Sequence, residues 1–204
     1  IIGIFFVLLV FSDPAIQSQM REQAEKRIQK MIDEGSIPPE RAEMAREQAA
    51  AMTGGTMGKV FGIIAIIIYS FAALLVASLV FLLVGKIGFK TTVPYGKFME
   101  VVGASTMING VLGSIITMLI VLAMGSLYST PGLALLISGF DPENKVHALL
   151  SSVNIFTIWY LAVLSIGLGK LFSATTSKAA VWVVALWLVW TLLTTFVLTF
   201  LRMG

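Results

Sequence analysis

The side chains able to do chemistry in this chain are few and widely spaced. His147 is the single histidine, and cysteine is absent. A metal site gathers several His, Cys, Asp or Glu ligands at one point, and the sequence offers neither HExxH nor another such grouping. It also has no GxxxxGK[ST] phosphate loop and no GxSxG nucleophile elbow. Asp141 stands in "FDPENK" ahead of an apolar run. There it reads as a helix N-cap, with Pro142 in the first helical position. What remains is neutral and polar. Ser105, Asn109 and Gly113 recur at four-residue steps, with Thr106, Gly110 and Ser114 on the neighbouring stripe. Ser151, Asn154 and Thr157 follow at three-residue steps, and Ser165 continues their face. Thr191, Thr195 and Thr199 form a third stripe. In an apolar helix such residues permit close approach and hydrogen-bond across to a neighbour, although a Thr hydroxyl can instead bond its own backbone. The expected roles are therefore packing roles, Asn154 acting as an interhelical hydrogen bonder. No catalytic, cofactor-binding or metal-ligating residue is expected. The competing use of the same residues is a passive path for lipid or small amphipathic solutes.

The elements that must position them are membrane helices. The chain has 204 residues, 57% apolar and 12% charged, against about 25% charge in an average soluble domain. Residues 12–57 hold 14 of the 25 Lys, Arg, Asp and Glu residues. The fold class this predicts is all-α: a polytopic transmembrane bundle of five spans, the first truncated, with a polar helical hairpin inserted after it. The apolar run 1–11 covers only about 16 Å of a hydrocarbon core about 30 Å thick. It reads as the end of a first span whose start lies outside this numbering. The insert 12–57 reads as helices over about 15–34 and 38–52. Gly35 is placed at the C′ position of the first helix, and Ser36 or Pro39 at the start of the second. The remainder, 58–204, reads as four spans: Val60 to Val84, about 98–127, about 142–172, and Ser177 to Leu201 with Ser177 as cap. Gly54 and Gly55 read as a linker, Gly58 and Gly62 as a packing face, and the short apolar piece 133–139 as a half-buried or re-entrant turn. Trp182 is expected at an interface, and Trp187 and Trp190 in packing.

The net charge is +3 and the Lys and Arg residues are dispersed, so the basic pI points to loop lysines rather than to nucleic acid. Lys86, Lys90 and Lys97 flank one loop, and Lys170 and Lys178 flank another. By the positive-inside rule these loops face the cytoplasm. The N-terminal side is then cytoplasmic, and the insert and C-terminus are extracytoplasmic. The insert carries six basic and eight acidic residues. Its mixed charge suits a solvated face, and its methionines suit a docking surface.

One stretch carries a resemblance. "VNIFTIWYLAVLSIGLGKLFSATTSKAAVWVVALW" resembles the last two spans of the Yip (Ypt-interacting protein) family, through Phe156, Trp159, Gly167 and Leu168, and a restart at Ser177, Lys178, Ala179 and Ala180. The resemblance covers about residues 56–201, and the insert 12–57 matches no family feature. It implies a five-span protein with a cytoplasmic N-terminus and no catalytic residue. Eukaryotic members bind small GTPases and act in vesicle traffic. The short loops and minimal tails here look more like prokaryotic members, some of which resemble accessory subunits of ABC-type exporters with adaptor-like partners. The expectation is a non-enzymatic accessory or scaffold subunit in a prokaryotic plasma membrane. Its partners would be lipids, other membrane proteins such as ABC exporter subunits, or an extracytoplasmic adaptor. Lipid or solute transport is the alternative.

Overall fold

The computed structural model describes Ile4, Leu8 and residues 12–53, 55–124, 131–137 and 144–203. The expected first span lies almost wholly outside the described residues, as do Asp141 and Pro142.

Helix α1, Pro14–Asp33, starts where the Asp13 carboxylate accepts from the N–H groups of Ala15 and Ile16 at 2.8 and 3.2 Å. It ends at Gly35, whose φ of 70° lets Gly35 N–H reach Ile32 O and Ser36 N–H reach Met31 O. This closes the last turn as the sequence predicts. Helix α2, Pro39–Thr53, then packs against α1. Ile16, Ile28 and Ala42 are buried. Arg46 bridges to Glu25 at 2.8 Å, a half-exposed pair of small net value. On α1 the Lys26 ammonium holds the Glu22 carboxyl below the usual carboxylate range, by its hydrogen bond first and its charge second. Met44 on α2 is exposed.

Helix α3, Gly55–Gly88, is about 50 Å long at 1.5 Å per residue. It opens at Gly55, so that residue belongs to the helix and not to a linker. Next comes a continuous rod, Tyr95–Met124. It consists of α4 (Tyr95–Met107), a π-helical stretch (Ile108–Gly113) and α5 (Ser114–Met124). A single 3-10 turn, Leu133–Leu136, follows Gly132. The expected helix over 142–172 is not continuous. Helix α6, Lys145–Ser152, is capped by Asn144. The chain then becomes extended at Val153 and Asn154 and restarts as α7, Ile155–Leu171. The sequence expectation missed this break because no Pro or Gly marks it. The last helix, α8, spans Thr176–Met203. Its Lys178 N–H donates to Thr175 Oγ1 at 3.4 Å, so Thr175 takes the capping position expected of Ser177.

Among the described residues, three helical stretches are long and apolar enough to cross a membrane: Gly58–Gly88, Tyr95–Met124 and Thr176–Phe196. At 17 residues and about 25 Å, α7 falls just short of a hydrocarbon core about 30 Å thick. Much of their surface turns outward and is apolar, as at Ile68, Tyr69 and Phe71 on α3 and Val181, Val189 and Trp190 on α8. In water such faces would be a liability; in lipid they are what a bundle presents. Trp190 belongs to this outward face, not to the packing role expected of it.

The buried core draws on four helices at one end of the bundle. It contains Phe81 and Leu82 of α3, Phe98 and Val102 of α4, Leu164 and Leu168 of α7, Phe172 just beyond α7, and Ala179 and Val183 of α8. Two loops interlock there. Thr91 Oγ1 donates to Leu171 O at 3.0 Å, and Phe89 stacks on Phe172 with centroids 4.4 Å apart. Gly85 makes room for this join: a Cβ there would stand 2.8 Å from Thr91 and 2.9 Å from Phe172. The lysine-flanked loops are thus brought together, while the α1–α2 hairpin joins the opposite end of α3.

Candidate functional site: a polar cleft at a helix break

Two irregularities face each other across the bundle. In the first, the rod widens from α to π geometry over Ile108–Gly113. A π turn leaves a ladder bond longer and re-aims the side chains around it, which is why such turns collect at functional positions. In the second, the backbone breaks at Val153–Asn154. Asn154 Oδ1 accepts from Thr157 N–H at 2.9 Å, so Asn154 is the N-cap of α7. The hydrogen bond expected across a helix pair is instead made to its own chain, because a helix start leaves N–H groups that need an acceptor. Gly132 pairs with Asn154 in an antiparallel bridge, and Leu133 N–H donates to Val153 O at 3.3 Å. The approach is close: a Cβ on Gly132 would lie 3.0 Å from Val153 O and 3.2 Å from Asn154 Cβ. The segment expected to be half-buried or re-entrant therefore meets the break at Gly132 and Leu133, and its 3-10 turn packs against α6.

Between these features lies a half-open cleft of about 360 Å³. Asn109, Gly113, Ser114 and Thr117 line it from the rod, Asn154, Phe156 and Thr157 from the break, and Ile66 from α3. Gly113 is buried in its wall, where a Cβ would make ordinary contact with Asn109 Oδ1 and Phe156 Cβ, each at 3.5 Å. The lining holds no charged residue, and no grouping of His, Cys, Asp or Glu fit for a metal occurs among the described residues. His147 lies at α6, outside the lining.

The hydroxyls divide into two sets. Ser78, Ser105 and Ser165 are buried between helices, and each donates to the carbonyl four residues back, at 2.6–2.8 Å. They are small packing residues satisfied by their own helix. Thr157 is different. It is 7% exposed, and its hydroxyl has no protein partner among the described residues. It sits in the first turn of α7, where no helical carbonyl lies four residues behind it. The Asn109 carboxamide and Thr117 hydroxyl likewise have none among the described residues.

The other predicted residues fall elsewhere. Gly110 is exposed, with nothing nearer its open side than Thr106 at 4.0 Å. Trp159 turns outward, 49% exposed. Gly167 lies against α4, where a Cβ would meet Val101 Cγ1 at 2.5 Å. Ser177 and Lys178 are exposed at the start of α8. Sequence reasoning placed Thr157 on the Ser151–Asn154 stripe but missed Thr117 as a cleft residue. For Thr157 the usable signal was a Ser-Ser-Val-Asn run ahead of an apolar segment, which is also a helix-start pattern.

Replacing Asn154 by alanine is expected to cost about 1 kcal/mol through loss of the cap. Asn154→Asp or Asn154→Ser, either of which can still accept from Thr157 N–H, is expected to cost much less. Thermal unfolding in mild detergent reads the difference.

This architecture defines an integral membrane protein: a helical bundle with outward apolar faces and a polar cleft between its helices. The chain belongs to the Yip1 domain family, matching it over residues 1–198. The match begins at residue 1 and runs through the α1–α2 hairpin, further than the resemblance read from 56–201. Comparison with curated proteins and with solved structures gives no match.

Proposed function

We propose that this protein is a non-enzymatic accessory or scaffold subunit of a membrane complex in a prokaryotic plasma membrane, the complex being an ABC-type exporter. Residues 58–204 form its membrane domain. Residues 12–57 form an extracytoplasmic unit that meets a partner such as an adaptor protein, and the N-terminal side is cytoplasmic. The observation that carries this reading is the separation of charge. Lys86, Lys90, Lys97, Lys170 and Lys178 belong to the two loops joined through Thr91 and Phe172, while the mixed-charge hairpin stands at the far end of α3. Positive charge at one end favours a cytoplasmic placement of that end. The uncharged cleft supports the non-enzymatic part of the reading, since acid–base chemistry needs a titratable group within reach of substrate.

Affinity isolation at native expression in mild detergent tests the reading. Exporter subunits are expected to co-purify with the full chain and to be lost on deletion of residues 16–52. Recovery of the protein alone, or association indifferent to the deletion, contradicts it. A second reading, movement of lipid or small amphipathic solutes, is favoured by one feature: the unpartnered polar groups of the cleft. Flux by the purified, reconstituted protein would support it.

A further inference from the structure

We infer that the cleft between the π turn and the α7 start binds the uncharged glycerol-ester region of a lipid. Three observations converge. The first is depth. Asn109 stands about 21 Å along the rod from Tyr95 at 1.5 Å per residue, and Tyr95 lies beside the lysine-bearing end. That places the cleft in the far part of a hydrocarbon core about 30 Å thick, near the ester level of the opposite leaflet. The second is unmet hydrogen-bonding capacity. The Thr157 hydroxyl is buried without a partner among the described residues, and the Asn109 carboxamide and Thr117 hydroxyl line the same space. A buried polar group left unpaired is costly, more so where no bulk water reaches. A ligand with both acceptors and a donor satisfies this set. The third is charge and shape. Among the described residues no cation or anion lines the cleft, so a phosphate or ammonium would enter without a counter-charge from them, whereas ester carbonyls and a glycerol hydroxyl would not need one. Ile66 and Phe156 supply apolar walls for the first carbons of an acyl chain. A volume of about 360 Å³ suits a glycerol-ester region rather than a whole lipid, and the half-open side leaves the chains in the bilayer.

The inference shares with the transport reading only the lipid-accessible cleft. Binding and flux are separate measurements, so a failure of flux leaves it standing. The test uses the full chain, purified in mild detergent, and a diacylglycerol carrying a photoreactive group near its glycerol. Crosslinks are mapped by mass spectrometry. Labelling is expected within residues 109–117 and 154–157. Thr157→Val and Asn109→Leu are each expected to reduce it about fivefold, the factor for one hydrogen bond. Thr157→Ser, which keeps the hydroxyl, is expected to retain it, and thermal midpoints near the parent's show that the variants fold. Labelling spread over the outward faces of α3 and α8 and unchanged by the substitutions would overturn the inference. So would preference for an anionic phospholipid probe over the neutral one.

Discussion

Phe98→Ala is expected to destabilise the protein by about 3 kcal/mol or more, the range for removing a large buried aromatic ring. Phe98 is fully buried and lies 6.1 Å, centroid to centroid, from Phe172, which in turn stacks on Phe89. Removing it empties the centre of the join between the two lysine-flanked loops. Leucine fills much of the same volume, and Phe98→Leu is expected to cost roughly half as much or less. Both costs appear as shifts in the thermal midpoint of the detergent-solubilised protein. A Phe98→Ala midpoint within a degree or two of the parent would mean that these loops do not meet through this residue.

The second large effect is at Gly167. Alanine normally favours a helix over glycine by about 1 kcal/mol. Here the added Cβ would stand 2.5 Å from Val101 Cγ1. Val101 cannot swing away cheaply, because a β-branched side chain in a helix has one strongly preferred rotamer. Overpacking of this kind costs about 1–3 kcal/mol, so Gly167→Ala is expected to destabilise in spite of its helix propensity. Val101→Ala removes the obstructing methyls, and the double variant is expected to recover most of the loss. That non-additivity is the signature of direct contact; additive effects would show that α4 and α7 do not touch there.

These positions show what a sequence reader could and could not see. The long spans were legible because uninterrupted apolar runs of this length have few other uses. The hairpin was legible because Gly35 and the two-proline restart mark its turn. Gly167 was singled out from a resemblance, and the structure supplies a steric reason for it. The break at Val153–Asn154 was not legible as a break. Asn inside an apolar run looks like an interhelical bonder, and only the local geometry shows its oxygen turned to Thr157 N–H. The π turn left no periodic trace, since six residues are too few to shift a hydrophobic period; Asn109, Gly110 and Gly113 within it were its mark. Hydroxyl stripes carry two roles at one spacing. Ser105 and Ser165, expected to pack, are buried and spend their hydrogen bonds on their own helices, so spacing alone cannot tell a packing serine from a binding one. Thr157 differs only by standing one turn too early to do the same.

The most direct test of the account is the side of the membrane on which its two ends lie. The chain has no cysteine, so single substitutions give unambiguous labels. Ser36→Cys marks the hairpin turn and Thr92→Cys the lysine-flanked loop, both at exposed positions. With a membrane-impermeant maleimide on intact cells, Ser36→Cys is expected to label and Thr92→Cys to label only after permeabilisation. Labelling of Thr92→Cys from outside, with Ser36→Cys protected, would contradict the orientation on which the proposed role rests.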